Sequence, residues 1–176
     1  MKLIVGLGNP GKEYENTRHN TGWIMLGMVE KKLDLKNKIK FVYPDKFMNN
    51  SGKVVASFVK SKKDLKDIVV IYDDIDLPIG KMKISFNRSS GGHNGLGSII
   101  KALKSEEFVR IRIGTSPATP SGKIRKPKGE KDVLKFLLGE YKKSELETLK
   151  KLSKKVAEAV ETIFTEGKEK AMSLYN

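Results

Sequence analysis

A five-residue apolar run near the middle of the chain places the strongest constraint on its fold. Residues 68–72 read Ile-Val-Val-Ile-Tyr, and all five are β-branched or aromatic. A strand without polar alternation is typical of a parallel sheet that helices cover on both faces. The run therefore predicts a buried central strand, and the rest of the chain must supply the elements that cover it.

Shorter strands and helices alternate along the rest of the sequence. Strands are predicted at 2–5, 39–43, 81–86 and 109–113, and helices at 22–33, 51–62, 95–103, 132–138 and 144–165. Interleaved strands and helices in 176 residues predict an α/β fold, a single domain with a mixed, mostly parallel central sheet flanked by helices. This domain spans 1–176, with a basic mobile loop at 115–131 and C-terminal helices over 132–173.

Two alternating strands carry cations opposite their apolar faces. Lys81 and Lys83 alternate with apolar residues in the strand 81–86, and Arg110 and Arg112 do so in 109–113. Successive side chains of a strand point to opposite faces, so each pair of cations shares one face. If the two strands are neighbours, the four cations form one patch.

A glycine turn follows the first predicted strand and has the sequence pattern of a dinucleotide-binding loop. Residues 6–11 read Gly-Leu-Gly-Asn-Pro-Gly, which is G-x-G-x-x-G. That fingerprint requires a helix to begin within the glycines, whereas the polar residues 12–20 have no helical apolar stripe. A tight turn with glycines at positive φ is the preferred interpretation.

The net charge of +14 predicts a polyanionic partner. The segment 121–131 concentrates lysine and arginine, which favours nucleic acid over a lysine-rich surface that serves only solubility. The chain has no cysteine, so disulfides and thiolate metal sites are excluded, and a reducing cytoplasm is the expected location. No apolar run approaches the length of a membrane span.

Both histidines, His19 and His93, lie in loops beside asparagines and glycines. Histidine titrates near neutrality and serves as a base when a carboxylate fixes its tautomer. The candidate carboxylates are Asp73, Asp74 and Asp76, in a predicted turn at the carboxyl end of the buried strand, where open α/β sheets build their sites. The chain has neither a nucleophile elbow nor a cysteine, so the expected nucleophile is water. Amide donors for a developing oxyanion are available at Asn9, Asn49 and Asn94.

Two other functions are compatible with the same residues. The three aspartates are candidate Mg²⁺ ligands of a phosphoryl-transfer enzyme, although a phosphate-cradling P-loop is missing. Alternatively, the aspartates are turn and cap residues, and the protein is a basic RNA-binding module without catalysis. Composition and spacing leave both alternatives open.

Four sequence blocks in order resemble peptidyl-tRNA hydrolases of the bacterial type. They are residues 3–20 from the glycine turn to Arg-His-Asn, Phe47-Met48-Asn49 with Ser51-Gly52, residues 73–78, and residues 91–96, followed by 110–114 at the family's spacing. The resemblance runs from residue 1 to about 165. It implies hydrolysis of the ester between peptide and tRNA by a monomeric, metal-free enzyme without a cofactor, and peptidyl-tRNA as the partner.

The resemblance also implies a role for each matching residue. His19 would be the general base that activates water, Asp73 would orient it, and Asn9 would discriminate peptidyl-tRNA from aminoacyl-tRNA. The residues that would contact the peptide or the tRNA are Tyr14, Phe47, Met48, Asn49, His93, Asn94, Arg112 and Lys83.

The chain departs from the family pattern in three places. The segment 34–46 is shorter than usual by about a β-hairpin. Ser85 occupies the position of a lysine that pairs with an arginine, here Arg112, to hold a tRNA phosphate, so Lys83 or Arg88 would have to replace that lysine. The loop 115–131 is longer and more basic than the usual gate beside the cleft.

Overall fold

The computed structural model describes residues 1–34 and 38–176 and contains one five-stranded sheet. The strands are β1 (Lys2–Gly6), β2 (Ile39–Val42), β3 (Ile68–Pro78), β4 (Met82–Phe86) and β5 (Val109–Ser116), in the order β2-β1-β3-β5-β4. All neighbouring pairs are parallel except β4 with β5, which is antiparallel. The predicted single-domain α/β fold with a mixed, mostly parallel sheet is confirmed.

The described residues form six α-helices. They are α1 (Thr21–Glu30), α2 (Ser51–Ala56), α3 (Asn94–Leu103), α4 (Glu130–Leu137), α5 (Lys143–Thr165) and α6 (Lys168–Tyr175). All of them except α4 cover the sheet in two layers. Alternate residues of β1 and β3 pack into different cores, one beneath α1, α5 and α6 and the other beneath α2 and α3. Burial on both faces explains why β3 lacks polar alternation in its first half. No helix in the described ranges has the length and apolar character needed to cross a membrane.

The central strand β3 continues through the residues that were predicted to form a turn. Asp73 and Asp74 pair with Ile113 and Gly114 of β5, and an irregularity in register follows before Pro78. Turn-forming residue types are tolerated here because the strand leaves the core at this point and its acidic side chains find cationic or imidazole partners. The turn prediction for 73–78 was wrong.

Other boundaries also differ from those predicted. Helix α2 ends at Ala56 instead of Lys62, and reverse-turn hydrogen bonds from Ser57 and Phe58 follow it. The loop predicted at 115–131 is shorter, because Thr115 and Ser116 belong to β5 and α4 begins at Glu130. The mobility of this loop stays a prediction.

The cation patch predicted from β4 and β5 forms only in part. The two strands are neighbours, and Lys83 lies opposite Arg112 in the register. Arg110 is fully buried, with its guanidinium 4.7 Å from the ring centroid of Phe108, so it cannot join a surface patch. The alternation correctly placed the cations on one face, but that face is covered near Arg110.

The outer edge of the sheet is capped by a side chain that follows α6. The side-chain carbonyl of Asn176 accepts a hydrogen bond from the backbone N–H of Ile84 at 2.6 Å. Its amide donates to the Ile84 carbonyl at 2.9 Å. Asn176 thereby satisfies both backbone groups that β4 presents at this point of its free edge.

Candidate active site

The polar residues of the candidate site meet at the carboxyl ends of β1 and β3. Asn9 follows β1, and Asp73 lies on the adjacent strand β3. His19 lies in the short 3-10 turn that leads into α1, and His93 is the N-cap residue of α3. Because β1 and β3 are parallel neighbours, their carboxyl ends place Asn9, His19 and Asp73 at one edge of the sheet, and the start of α3 brings His93 to the same edge.

The carboxylate of Asp73 is shared between two histidines. Its Oδ2 lies 2.9 Å from Nδ1 of His19, and its Oδ1 lies 2.9 Å from Nε2 of His93. The Asp73 side chain is 2% exposed and each imidazole is 9% exposed. Both carboxylate oxygens therefore have an imidazole partner where little water reaches them.

The hydrogen-bond network assigns the protons of both histidines. The backbone N–H of Leu96 donates to Nδ1 of His93 at 3.2 Å, so that nitrogen is unprotonated and Nε2 carries the proton donated to Asp73. His19 donates from Nδ1 to Asp73, which leaves Nε2 with a lone pair. Within residues 1–34 and 38–176, no protein group hydrogen-bonds to this Nε2.

Opposing effects determine the ionisation of His19 and Asp73. Burial disfavours the imidazolium form of His19, but the charge and hydrogen bond of Asp73 outweigh burial and raise the His19 pKa. Burial likewise disfavours the Asp73 carboxylate, but His93 and His19 outweigh it and hold the Asp73 pKa well below its ordinary value. Asp73 is therefore anionic near neutrality.

Hydrogen bonds from neighbouring residues hold Asn9 in a single orientation. Its backbone N–H donates to Oδ1 of Asn20, and Nδ2 of Asn20 donates to the Asn9 carbonyl, both at 2.9 Å. The Asn9 Oδ1 accepts from the backbone N–H of Met48 at 2.8 Å. Because Oδ1 is occupied, the Asn9 Nδ2 is left with donors for a substrate, and the described ranges give it no protein acceptor. Sequence reasoning missed Asn20, although it lies directly beside His19.

Aromatic and amide side chains lie around this centre. Tyr14 and Phe47 pack edge to face with centroids 6.2 Å apart, and Phe47 is 57% exposed although it is apolar. Met48 is buried, whereas Asn49 and Asn94 are exposed. An exposed aromatic beside polar amides suits a ligand that presents a flat ring or a peptide group.

A cation-lined cavity of about 280 Å³ lies on the Asp73 side of the centre. Its charged lining residues are three cations and three carboxylates, namely Arg88, Arg112, Lys126, Asp73, Asp74 and Asp76, and the lining also includes Ser85 and His93. Nε of Arg112 donates to Oδ2 of Asp74 at 2.7 Å, which anchors the guanidinium. Lys83 is exposed and does not line this cavity.

The three aspartates of the 73–76 segment do not converge on one point. Asp73 bonds to the two histidines, Asp74 pairs with Arg112, and Asp76 pairs with Lys126. Among the described residues, the one cluster with metal-ligand spacing is His19, Asp73 and His93, with ligand atoms within 4.8 Å of one another. An all-aspartate Mg²⁺ site is therefore not formed.

The end of α4, the residues that follow it and the start of α5 hold in place the loop that carries His19, here called the histidine loop. The backbone N–H of Arg18 donates to the Gly139 carbonyl at 3.0 Å. The side-chain Nη1 of Arg18 donates to the Phe136 carbonyl at 3.3 Å. The same guanidinium lies 4.5 Å from the Phe136 ring centroid and 3.6 Å from a Glu145 oxygen. These contacts were not predicted, because they join residues more than a hundred positions apart.

Comparison with known proteins identifies the family. The family model described as peptidyl-tRNA hydrolase matches residues 3–176. A peptidyl-tRNA hydrolase of Thermoanaerobacter sp. (strain X514) is 41% identical, with all of both chains covered. One from Synechococcus sp. (strain JA-2-3B'a(2-13)) is 37% identical, over all of this chain and 83% of the relative.

The Thermoanaerobacter alignment extends over 194 residues against 176 here, so that relative has residues that this chain lacks. The position of the shortening at 34–46 stays a prediction.

The fold also matches solved structures. A crystal structure of peptidyl-tRNA hydrolase from Acinetobacter baumannii superposes with a TM-score of 0.83 at 27% identity, over all of this chain and 94% of that one. The resemblance that the four sequence blocks predicted is confirmed. This chain belongs to the peptidyl-tRNA hydrolase family.

Proposed function

We propose that this protein hydrolyses the ester bond between a peptide and tRNA, with His19 as the general base. Nε2 of His19 takes a proton from water as the water oxygen attacks the ester carbonyl carbon. The tetrahedral intermediate then collapses, and the ribose oxygen of the tRNA leaves with the proton that His19 returns. The observation that carries this proposal is the shared Asp73 carboxylate, which fixes the His19 tautomer and stabilises its charged form.

The amide of Asn9 is proposed to recognise the substrate beside this base. Its fixed orientation supports donation from Nδ2 to a peptide carbonyl or to the developing oxyanion. The exposed amides of Asn49 and Asn94 are further donors. Tyr14, Phe47 and Met48 form the wall against which the aminoacyl group and the tRNA end lie.

The cation-lined cavity is proposed to hold a phosphate of the tRNA. Arg112 is anchored there by Asp74, and Arg88 lines the same cavity. Arg88 is thus favoured over Lys83 as the replacement for the lysine that Ser85 displaces. Phosphate contacts bind without reading sequence, which suits an enzyme that acts on many tRNAs.

A hydrolysis assay with N-acetylated aminoacyl-tRNA tests the proposal. We expect multiple turnovers by the native protein and a decrease in kcat of about 10²- to 10⁴-fold in His19→Ala. Binding of uncharged tRNA to that variant should change little. A His19→Ala rate within a few fold of the native rate would refute the general base. Binding without hydrolysis by the native protein would leave only an RNA-binding module.

Metal-assisted hydrolysis is a second candidate, because His19, Asp73 and His93 have metal-ligand spacing. Hydrogen bonds already account for this geometry, since Asp73 contacts both imidazoles directly. We therefore expect EDTA treatment to leave kcat unchanged and added Zn²⁺ to inhibit by competing for these ligands. Strong inhibition by EDTA that a divalent ion reverses would favour the metal mechanism.

We also infer that the protein acts as a monomer in the cytoplasm. The absence of cysteine suits a reducing compartment, and the substrate arises from translation. A single species of the monomer mass, 19.7 kDa, in analytical ultracentrifugation is the expected result.

A further inference from the structure

Arg110 on β5 is a buried cation without an acidic partner among the described residues. Its Nη2 donates to the backbone carbonyl of Glu106 at 3.3 Å. Its other side-chain nitrogens, Nε and Nη1, have no hydrogen-bond partner within residues 1–34 and 38–176. A guanidinium carries five N–H donors, and a buried charge with unused donors is costly unless another group compensates it. Arg110 therefore has donors available for a further polar or anionic group.

Ser85 on the neighbouring strand β4 has a second polar group of this kind. It lies opposite Arg110 in the register of β4 with β5, so both side chains project from the same face of the sheet. Directly opposed residues have Cβ atoms about 4.5 to 5.5 Å apart, which is well within the length of an arginine side chain. Ser85 is 7% exposed, and its Oγ has no hydrogen-bond partner in the described part of the chain. Two polar side chains thus lie side by side, and each can bind a further group.

This pair lies at the buried end of the cation-lined cavity. Ser85 belongs to the cavity lining, together with Arg88 and Arg112. Burial lowers the pKa of Arg110, and the positive charges of Arg88 and Arg112 lower it further. The guanidinium of Arg110 is therefore close behind the wall that these residues form, and an anion in the cavity would offset the repulsion among the three cations.

The carboxylates of the cavity have partners of their own. Asp73 is bonded to the two histidines, Asp74 to Arg112 and Asp76 to Lys126. Around the cavity, Arg88 and Arg110 are the arginines that no carboxylate pairs with in the described ranges. Arg88 is exposed and Arg110 is buried, so the two uncompensated charges lie at opposite ends of the same space.

A serine hydroxyl can donate one hydrogen bond while it accepts another, so it can join a guanidinium to an anion. We infer that Ser85 and Arg110 form an anion-binding pair, in which Ser85 accepts a hydrogen bond from Arg110 and donates its own to a phosphate oxygen of the tRNA. Ser85 contacts the phosphate, and Arg110 is a positioning residue that acts through Ser85. The buried arginine thus compensates in part for the lysine that is missing at position 85. This inference rests on the proposed hydrolysis of peptidyl-tRNA.

Substitutions of Ser85 test the contact with the phosphate. In Ser85→Ala we expect the Kd for uncharged tRNA to rise by about tenfold, the value of one hydrogen bond to a charged group. The KM for N-acetylated aminoacyl-tRNA should rise by a similar factor. Ser85→Thr keeps the hydroxyl and should bind tRNA as the native protein does. The control is Ser57→Ala, which removes an exposed hydroxyl outside the cavity and should leave the Kd unchanged. Native affinity in Ser85→Ala, or an equal loss in Ser85→Thr, would overturn the inference.

A double-mutant cycle tests whether Arg110 acts through Ser85. Arg110→Gln alone should weaken tRNA binding by about tenfold, but by less than about threefold when Ser85→Ala is already present. A merely structural role of Arg110 predicts the same loss in both backgrounds, and that result would overturn the pairing. If melting curves show that Arg110→Gln is unfolded, Arg110→Lys takes its place in the cycle. Failure of the native protein to cleave N-acetylated aminoacyl-tRNA would refute the proposed hydrolysis, while the tRNA affinities would still decide whether the pair binds phosphate.

Discussion

At the scale of single residues, the site depends on one buried anion with two imidazole partners. A buried carboxylate is costly unless charged or hydrogen-bonding groups compensate for its lost hydration. Asp73 meets this requirement with His19 on one oxygen and His93 on the other. The second imidazole thus fixes the carboxylate that orients the first, which makes His93 a positioning residue for the proposed base.

The raised pKa of His19 predicts the pH dependence of hydrolysis. The base must be neutral to accept a proton, so kcat/KM should rise with pH through an acidic limb whose midpoint lies above the ordinary histidine value of about 6.5. Asp73→Asn removes the charge that raises this pKa, so the limb should move to lower pH while the maximal rate falls. Rates from pH 5 to 9 for both proteins check this, and an unshifted limb would contradict the role of Asp73.

Residue types alone predicted part of this site, but they did not predict which of its residues are hydrogen-bonded to one another. His19 and Asp73 could be proposed because a loop histidine and a carboxylate at a strand's carboxyl end suit a base and its partner. The contact of His93 with the same carboxylate was not predicted, because it depends on how α3 approaches β3. Asn20 was missed because its two hydrogen bonds to the Asn9 backbone depend on the path that the turn takes in space.

At the scale of elements, the histidine loop is held from outside the sheet by the segment 136–141. Arg18 connects to Phe136 and Gly139, and the backbone N–H of Tyr141 donates to the Asn16 carbonyl at 2.9 Å. The Tyr141 hydroxyl and Thr21 Oγ1 are hydrogen-bonded at 2.6 Å, which ties the same segment to the start of α1. The C-terminal helical layer thereby contributes to the placement of His19.

Arg18→Ala should lower kcat by up to about 100-fold with little change in KM, because misplacing the base by about 1 Å can cost that much. Arg18→Lys should recover only part of the rate, since an ammonium group keeps the charge without the planar stacking on Phe136. Kinetics with the N-acetylated substrate and thermal melts measure both effects. Arg125→Ala, in the exposed loop before α4, is the control, and a change in KM alone would contradict a positioning role.

Periodicity predicted the elements better than their ends. The apolar stripe of α5 and the continuous run in β3 gave both elements correctly, because burial alone determines those patterns. The extension of β3 through Asp73 and Asp74 escaped prediction because the partners of these aspartates lie far away in the sequence, the two histidines in loops and Arg112 on β5. The early end of α2 was missed because apolar residues continue past it and pack without a helix.

At the scale of the whole molecule, the net charge of +14 gives a general attraction for tRNA, and a local cation is needed to place a phosphate. In the cavity on the Asp73 side, Arg112 pairs with Asp74 and Lys126 pairs with Asp76. Among the described residues, Arg88 is the lining cation without a carboxylate partner, so it is the one most available to a phosphate.

Replacing Arg88 or Arg112 with Ala should weaken tRNA binding and reduce the slope of log K against log salt by about 1 for each lost phosphate contact. Lys154→Ala, on the solvent-exposed face of α5, is the control that should leave the slope unchanged. Titrations at several salt concentrations measure the slope. An unaltered slope in Arg88→Ala would return Lys83 to consideration as the missing cation.

The cap on β4 by Asn176 affects how the molecule behaves at high concentration. An uncovered outer strand offers its N–H and C=O groups to the same strand of another copy, which is a route to domain swapping and fibrous aggregation. The side-chain amide of Asn176 occupies both groups of Ile84 as a neighbouring strand would. We therefore expect Asn176 to oppose edge-to-edge pairing of two copies at Ile84, by a means that does not depend on surface charge.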